Sequence, residues 1–212
     1  MSVWDDRAEA YRTSAIHASG DDLDLVVEWC EPAPGVTALD VATGGGHVAR
    51  RLRERGATVV TVDPAPGMQA DTTAPAEELP FADASFDAVA CRLAAHHFAD
   101  VRLAVQEMAR VARRRVVICD NTFVSMASEE ADRLRDPSHV RNYSVAEWHS
   151  FFDLAGLDVA DEQTMERPLE IEPWLERAGT PEQDRGRVRE LLGDRIRDGW
   201  MSLPTLVLKA AK

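Results

Sequence analysis

Ala38-Leu39-Asp40-Val41-Ala42-Thr43-Gly44-Gly45-Gly46-His47-Val48 is an apolar run that breaks into a glycine turn and then into the start of a helix. Val48, Ala49 and Leu52 fall on one helical face, so the stretch reads as strand, bend and helix, the unit from which parallel sheets are wound. Three glycines let backbone approach a ligand without Cβ obstruction. Asp40 falls at the carboxyl edge of the sheet. A second apolar run, Val59-Val60-Thr61-Val62, ends in Asp63, where a ribose could present two hydroxyls.

Two cofactor classes fit this pattern. Gly44-x-Gly46-x-x-Ala49 satisfies the dinucleotide fingerprint in its Gly/Ala form, with an acid about 20 residues further on. Asp40 separates the two. A pyrophosphate beside the loop would disfavour a carboxylate at the strand end, whereas S-adenosylmethionine brings an ammonium and a sulfonium there. The local charge favours S-adenosylmethionine, and a nicotinamide-dependent oxidoreductase is the alternative.

The chain has 212 residues, 45% apolar and 29% charged, with a net charge of −13, enough for one well-filled core. A single domain is expected, with a helical cap over 1–34, a cofactor-binding core over 35–120 and substrate-side helices and closing strands over 121–212. The negative field repels nucleic-acid phosphates. Arg113-Arg114-Arg115 is the one dense basic run, and it reads as a solvated turn. Cys30, Cys91 and Cys119 are widely spaced in apolar contexts, which suggests neither a disulfide framework nor a zinc site; no metal is expected. The start Met1-Ser2-Val3-Trp4-Asp5-Asp6 lacks the basic and apolar blocks of a secretory signal, and no apolar run approaches the ~20 residues of a membrane span. A cytoplasmic protein is expected.

Periodicity predicts a helix over 20–31 with Leu23, Val26, Val27 and Cys30 on one face, ended by Pro32 and Pro34. Strands at 36–42 and 57–62 enclose a helix at 46–55, and strands at 86–91 and 115–119 enclose a helix at 100–112. Val101, Val105, Met108 and Ala112 form the core stripe of the last helix. Ser144-x-x-Glu147 is a capping box before Trp148, Phe151 and Phe152, and Thr180-Pro181-x-Gln183 opens another helix. Residues 157–164 and 206–208 read as closing strands.

Ala76-Glu77-Glu78-Leu79-Pro80-Phe81-x-Asp83-x-Ser85-Phe86-Asp87, followed by Cys91-Arg92-x-x-x-His96-His97-Phe98, resembles the class I S-adenosylmethionine-dependent methyltransferases. The narrower likeness is to the type-11, ubiquinone/menaquinone-methyltransferase-like branch. It runs from about Tyr11 to about Glu176 and includes Asp136-Pro137-Ser138-His139-Val140-Arg141-x-Tyr143-Ser144. The resemblance implies an α/β, Rossmann-like doubly wound sheet, mostly parallel with an antiparallel last strand. It implies that Asp40, Ala42 and the Gly44 to Gly46 loop approach the methionine moiety, that Asp63 accepts from the ribose, and that Pro64 and Met68 flank the adenine. Ala76 and Glu77 would meet the adenine edge, Tyr11 the methionine carboxylate, and Cys91 and Arg92 the floor beneath the methionine.

Three departures from the family pattern carry expectations. The segment 69–75 is too short for a helix and an outer strand, so the sheet is expected to be truncated at its edge after the second strand, where a second copy could pair to form a homodimer. Pro75 replaces the acid that receives the adenine amino group, a loss of ~1 kcal/mol if one hydrogen bond goes. The Pro-Gly-Gly turn before the fifth strand is absent.

Methyl transfer from a sulfonium is an in-line displacement that requires no metal, so positioning dominates and a base helps a hydroxyl or ammonium acceptor. His97 is the first candidate base, with His17, on a lid between two amino-terminal helical patterns, and His139 beside it. His96, Asn121, Arg141 and Tyr143 are candidates for the acceptor wall. The expected activity is methylation of a small molecule; a non-catalytic protein on the same scaffold is the third reading.

Overall fold

A computed structural model describes residues 3–212. The chain runs through α1 (Val3–Arg12), α2 (Ala15–Ala18) and α3 (Asp21–Trp29) into β1 (Thr37–Val41), α4 (His47–Glu54) and β2 (Thr58–Asp63). After a 3₁₀ turn at Pro66–Met68 come β3 (Thr72–Thr73), β4 (Phe86–Arg92), α5 (Val101–Val111), β5 (Ala112–Asn121), α6 (Met126–Arg135) and α7 (Val145–Leu154). The chain closes with β6 (Asp158–Glu170), α8 (Ile171–Arg177), α9 (Glu182–Leu192) and β7 (Trp200–Ala211).

These strands form a seven-stranded sheet in the order β3-β2-β1-β4-β5-β7-β6. β1 pairs in parallel with β2 and β4, and β4 with β5, whereas β7 runs antiparallel to both β5 and β6. The parallel strands are buried on both faces, which is why they read as unbroken apolar runs. One face packs α5 and α7 through Val105, Met108, Trp148 and Phe152; the other packs α3 and α4 through Leu23, Val27, Val48 and Leu52. Helices α6, α8 and α9 form a third cluster at the tip of the β6/β7 pair, around Trp174, Leu175 and Val188.

The expected edge truncation has a specific form. β3 is two residues long and pairs Val62 with Thr72 and Asp63 with Thr73. Asp71 secures it by accepting from the amide and hydroxyl of Thr61, at 2.9 and 2.8 Å. The missing turn before β5 is also explained: α5 passes into β5 with no intervening residue, and the Lys212 ammonium donates to the carbonyls of Ala109, Arg110 and Ala112. A cation thus satisfies the helix end that a turn would otherwise cover. Arg113-Arg114-Arg115 is therefore the start of a strand, not a turn; Arg113 and Arg114 pair with Asp87, and Arg115 with Glu31.

The caps fall largely where the side chains predict. Asp100 accepts from the amides of Arg102 and Leu103, and Ser144 and Glu147 form both halves of a capping box on α7. Thr180 does not cap α9; its hydroxyl donates to the carbonyls of Leu175 and Arg135, tying α8 to α6. Helices α6 and α8 have no counterpart in the periodicity. Among the described residues, no helix is long and apolar enough to cross a membrane.

Candidate active-site cleft

The carboxyl ends of β1, β2 and β4 open into one cleft, roofed by the amino-terminal helices and walled by α6, α8 and the ends of β6 and β7. Its floor is the loop after β1. Ala42, Gly44 and Gly46 all have positive φ, at 53°, 51° and 73°. The glycines adopt this without strain; Ala42 does so at a cost, as does Leu93 at the end of β4, with φ 55°. Both strained residues line the cleft. A Cβ on Gly45 would lie 2.5 Å from the Tyr11 carbonyl, so this glycine allows the amino-terminal segment to close on the loop. His47, which the sequence reading passed over, completes that closure with Nε2 2.9 Å from the same carbonyl.

Two buried carboxylates frame the bend. Asp40 accepts from the Thr43 hydroxyl at 2.6 Å and the Ala49 amide at 3.1 Å, binding the loop to the start of α4. Burial pushes its pKa up to about 6 against those hydrogen bonds. Asp63 accepts from the amides of Gly44 and Ala65, at 3.0 and 2.9 Å, and burial raises its pKa as well. Each carboxylate retains further acceptor capacity toward the cleft. Pro64 and Met68 add apolar surface beside Asp63, and Tyr11 packs against the cluster that Met68 forms with Ala8 and Ala65.

The residues fit an adenosyl group. A Cβ on Gly44 would have no neighbour closer than 4.0 Å, and one on Gly46 would meet nothing within 4 Å, so backbone is open above the bend. Acceptors for hydroxyls and an ammonium flank this space, with apolar surface for a base at one side.

Arg92 reaches the cleft by a different route from Cys91. Its Nε donates to Asp22 on α3 at 2.7 Å and its Nη1 to the His17 carbonyl at 2.9 Å, which ties α2 and α3 to the strand end. Cys91 is wholly buried in the core and is not part of the cleft lining. Ala76 and Glu77 also lie outside the lining. Ala76 packs in the core, and Glu77 accepts the Asp100 amide at 3.1 Å, holding its segment to α5.

The histidines separate into three roles. His97 lines the cleft, and its Nδ1 is 3.1 Å from the Ser138 carbonyl, which makes Nδ1 the donor and leaves Nε2 as an acceptor. Burial and the adjacent His96 hold its pKa down to about 3. His96 contacts Asp120 at 2.5 Å; although burial opposes its charged form, that carboxylate raises its pKa. His17 also faces the cleft, with Nδ1 2.8 Å from the Ser14 hydroxyl, and burial together with Arg177, Arg92 and Arg167 pushes its pKa well down.

His139 is not in the cleft lining. Its Nε2 lies 3.2 Å from Glu129, which also accepts from Asn142, so it fastens α6 to the segment before α7. Glu129, Asp132 and His139 are grouped closely enough to share a cation, yet Asn142 Nδ2 already donates to both carboxylates, at 2.9 Å each. Arg141 points to Glu147 at 2.6 Å, and Tyr143 packs edge-on against Trp148 and Phe151 in the core. The segment expected over the acceptor pocket thus turns its side chains away from it. Asn121 and His96 do line the cleft.

What replaces that segment comes from elements on either side of it in the chain. Arg135, Arg167, Leu169, Trp174, Arg177 and Leu203 form the far wall. They lie on α6, β6, α8 and β7, and no local motif announces them.

A family model for methyltransferase domains matches residues 39–119. The chain is 35% identical over 196 residues to the uncharacterized methyltransferase YcgJ of Bacillus subtilis, covering 82% of this chain and 78% of that protein. The crystal structure of YcgJ superposes with a TM-score of 0.82 at 29% identity, over 90% of this chain and 97% of that one. A geranyl diphosphate methyltransferase solved with GPP and sinefungin shares the fold alone, with a TM-score of 0.64 at 15% identity over 89% and 76% of the two chains.

Proposed function

The chain belongs to the class I methyltransferases, and from that premise we propose that it carries a methyl group from S-adenosylmethionine to a small-molecule acceptor held in the same cleft. The supporting observation is the open glycine bend between Asp40 and Asp63, two buried carboxylates at adjacent strand ends. In this reading Asp63 accepts from the ribose hydroxyls, Asp40 faces the methionine ammonium, and Pro64 and Met68 flank the adenine. The net charge of −13 supports a small acceptor over a nucleic acid.

When bound, S-adenosylmethionine supplies an electrophilic methyl group: the acceptor's electron pair forms the new bond to carbon as the carbon–sulfur bond breaks. The protein's contribution is chiefly placement, worth up to about 7–11 kcal/mol when the reacting atoms are held in line. His97 serves as a hydrogen-bond acceptor through Nε2, because Ser138 fixes its tautomer. With a pKa of about 3 it is a weak base. His17, also held down, is similarly suited to orienting a donor group on the acceptor. The site accordingly favours an acceptor that arrives as a competent nucleophile.

Calorimetric titration with S-adenosylhomocysteine, S-adenosylmethionine and NAD tests this reading. The two adenosyl ligands are expected to bind with one-to-one stoichiometry and NAD not to bind. Binding of NAD in their place would restore the oxidoreductase alternative. A folded protein that ignores S-adenosylmethionine at millimolar concentration would be a non-catalytic member of the family.

A further inference from the structure

The far wall of the cleft carries more positive charge than the fold uses. Arg92 ends β4, Arg167 lies on β6 and Arg177 ends α8, and all three line the same space. The Arg92 side chain is 4% exposed, and its Nη2 is buried with no hydrogen-bond partner. The Nε atoms of Arg167 and Arg177 are likewise buried and unpartnered. Asp22 is shared by two of these cations, 2.7 Å from Arg92 Nε and 3.6 Å from Arg167 Nη1. Arg177 makes no ion pair among the described residues.

Buried guanidinium groups are retained at a cost unless something pairs with them. Arg92 has a structural task in holding α2 and α3 to the strand end, but Arg177 makes no side-chain hydrogen bond among the described residues that would give it one. Its planar fork suits a carboxylate or phosphate, which accepts two parallel hydrogen bonds. The surroundings are apolar, with Ile16, Leu169, Trp174 and Leu203 beside the arginines. The charge of this wall contrasts with the net charge of −13 on the whole chain.

We propose that this wall is an anion site, and that the molecule to be methylated carries a carboxylate or phosphate group on an apolar body. The word methylated rests on the function proposed above; the anion site does not. The donor's own carboxylate does not account for three arginines, because S-adenosylmethionine also brings an ammonium and a sulfonium and so adds net positive charge to the cleft. Arg177 and Arg167 bind the anionic group, Arg92 borders it, and the apolar side chains hold the body.

Calorimetry with phenylacetate, phenyl phosphate and the neutral phenylacetamide, at fixed ionic strength and with and without S-adenosylhomocysteine, tests the inference. At least one anion is expected to bind tenfold or more tightly than the amide, and the tighter of the two names the preferred group. Arg177→Gln and Arg167→Gln should each weaken the anion tenfold or more while changing S-adenosylhomocysteine affinity less than threefold. Arg177→Met, which removes an unpaired charge, should leave the thermal midpoint unchanged or raise it, and Arg177→Lys should restore part of the anion binding. Equal binding of amide and anions would overturn the proposal. So would variants that weaken S-adenosylhomocysteine tenfold and spare the anions, since the arginines would then serve the donor. Failure of the nucleoside alone to bind would defeat the methyltransferase reading and leave the anion preference standing.

Discussion

The amide of Gly44 donates to the carboxylate of Asp63 at 3.0 Å, so the acid that ends β2 pins the bend that follows β1. One residue thereby sets the shape of the floor and, in the function proposed above, also accepts from the ribose.

Asp63→Ala is expected to leave the Gly44 and Ala65 amides without their acceptor, destabilising the protein by about 1–3 kcal/mol. S-adenosylhomocysteine affinity should fall tenfold or more. Urea unfolding and calorimetry measure the two effects, and unchanged affinity would contradict the ribose assignment.

Asp40 makes binding and stability depend on pH in a defined direction. Its folded-state pKa, about 6, lies above that of an unfolded aspartate. The folded state therefore keeps the proton longer, and the group's contribution to stability declines as pH rises between about 4 and 6. Asp40→Asn should remove this component, seen as a flatter dependence of the thermal midpoint on pH than wild type. If Asp40 faces the methionine ammonium as proposed, wild-type affinity for S-adenosylmethionine should weaken below about pH 6 as that carboxylate is neutralised. A midpoint profile identical in the two proteins would rule out the burial of an ionisable Asp40.

His96 and His97 adjoin in the chain, with ring centroids 4.1 Å apart, yet are expected to titrate far apart. Burial and the neighbouring His96 keep His97 neutral to about pH 3, while Asp120 raises His96 despite its burial. The His96–Asp120 pair thus stabilises the fold below the unfolded histidine pKa, and that contribution is lost as pH rises through the raised value. Imidazole chemical shifts followed from pH 4 to 9 should show one ring titrating late and its neighbour not at all. Two rings titrating together near 6.5 would refute the assignment.

Asp22→Ala should be among the most damaging single substitutions outside the central core. It strips the counter-ion from Arg92 and Arg167, and an uncompensated buried charge costs about 3–5 kcal/mol. Combining it with Arg92→Met should recover much of the loss in thermal unfolding. A double variant no more stable than the single one would mean that Asp22 acts through something other than charge.

The sequence carried the floor of the cleft in legible form because its parts are local. Asp40, Gly44, Gly46 and Asp63 sit within one strand-bend-helix-strand unit, where apolar runs and glycines dictate backbone path almost independently of the rest. The Ser144–Glu147 capping box was legible for the same reason, and the shortened edge from the length of segment 69–75 set against the family pattern. His139 was read as a candidate base and Arg141 and Tyr143 as acceptor wall, and the structure turns them to Glu129, Glu147 and the core around Trp148.

Nothing comparable announced Arg167 and Arg177 on the far wall, although Arg92, which borders it, was expected at the cofactor from the family likeness. Arg92, Arg167 and Arg177 come together because β7 inserts between β5 and β6 and places α8 at the sheet's carboxyl end beside α6. Neighbouring residues fix whether a stretch is strand or helix and which face is apolar, and the amino-acid order alone determined that much. Which distant side chains share a cavity depends on strand order and side-chain direction across the whole sheet, and only the tertiary structure decided it.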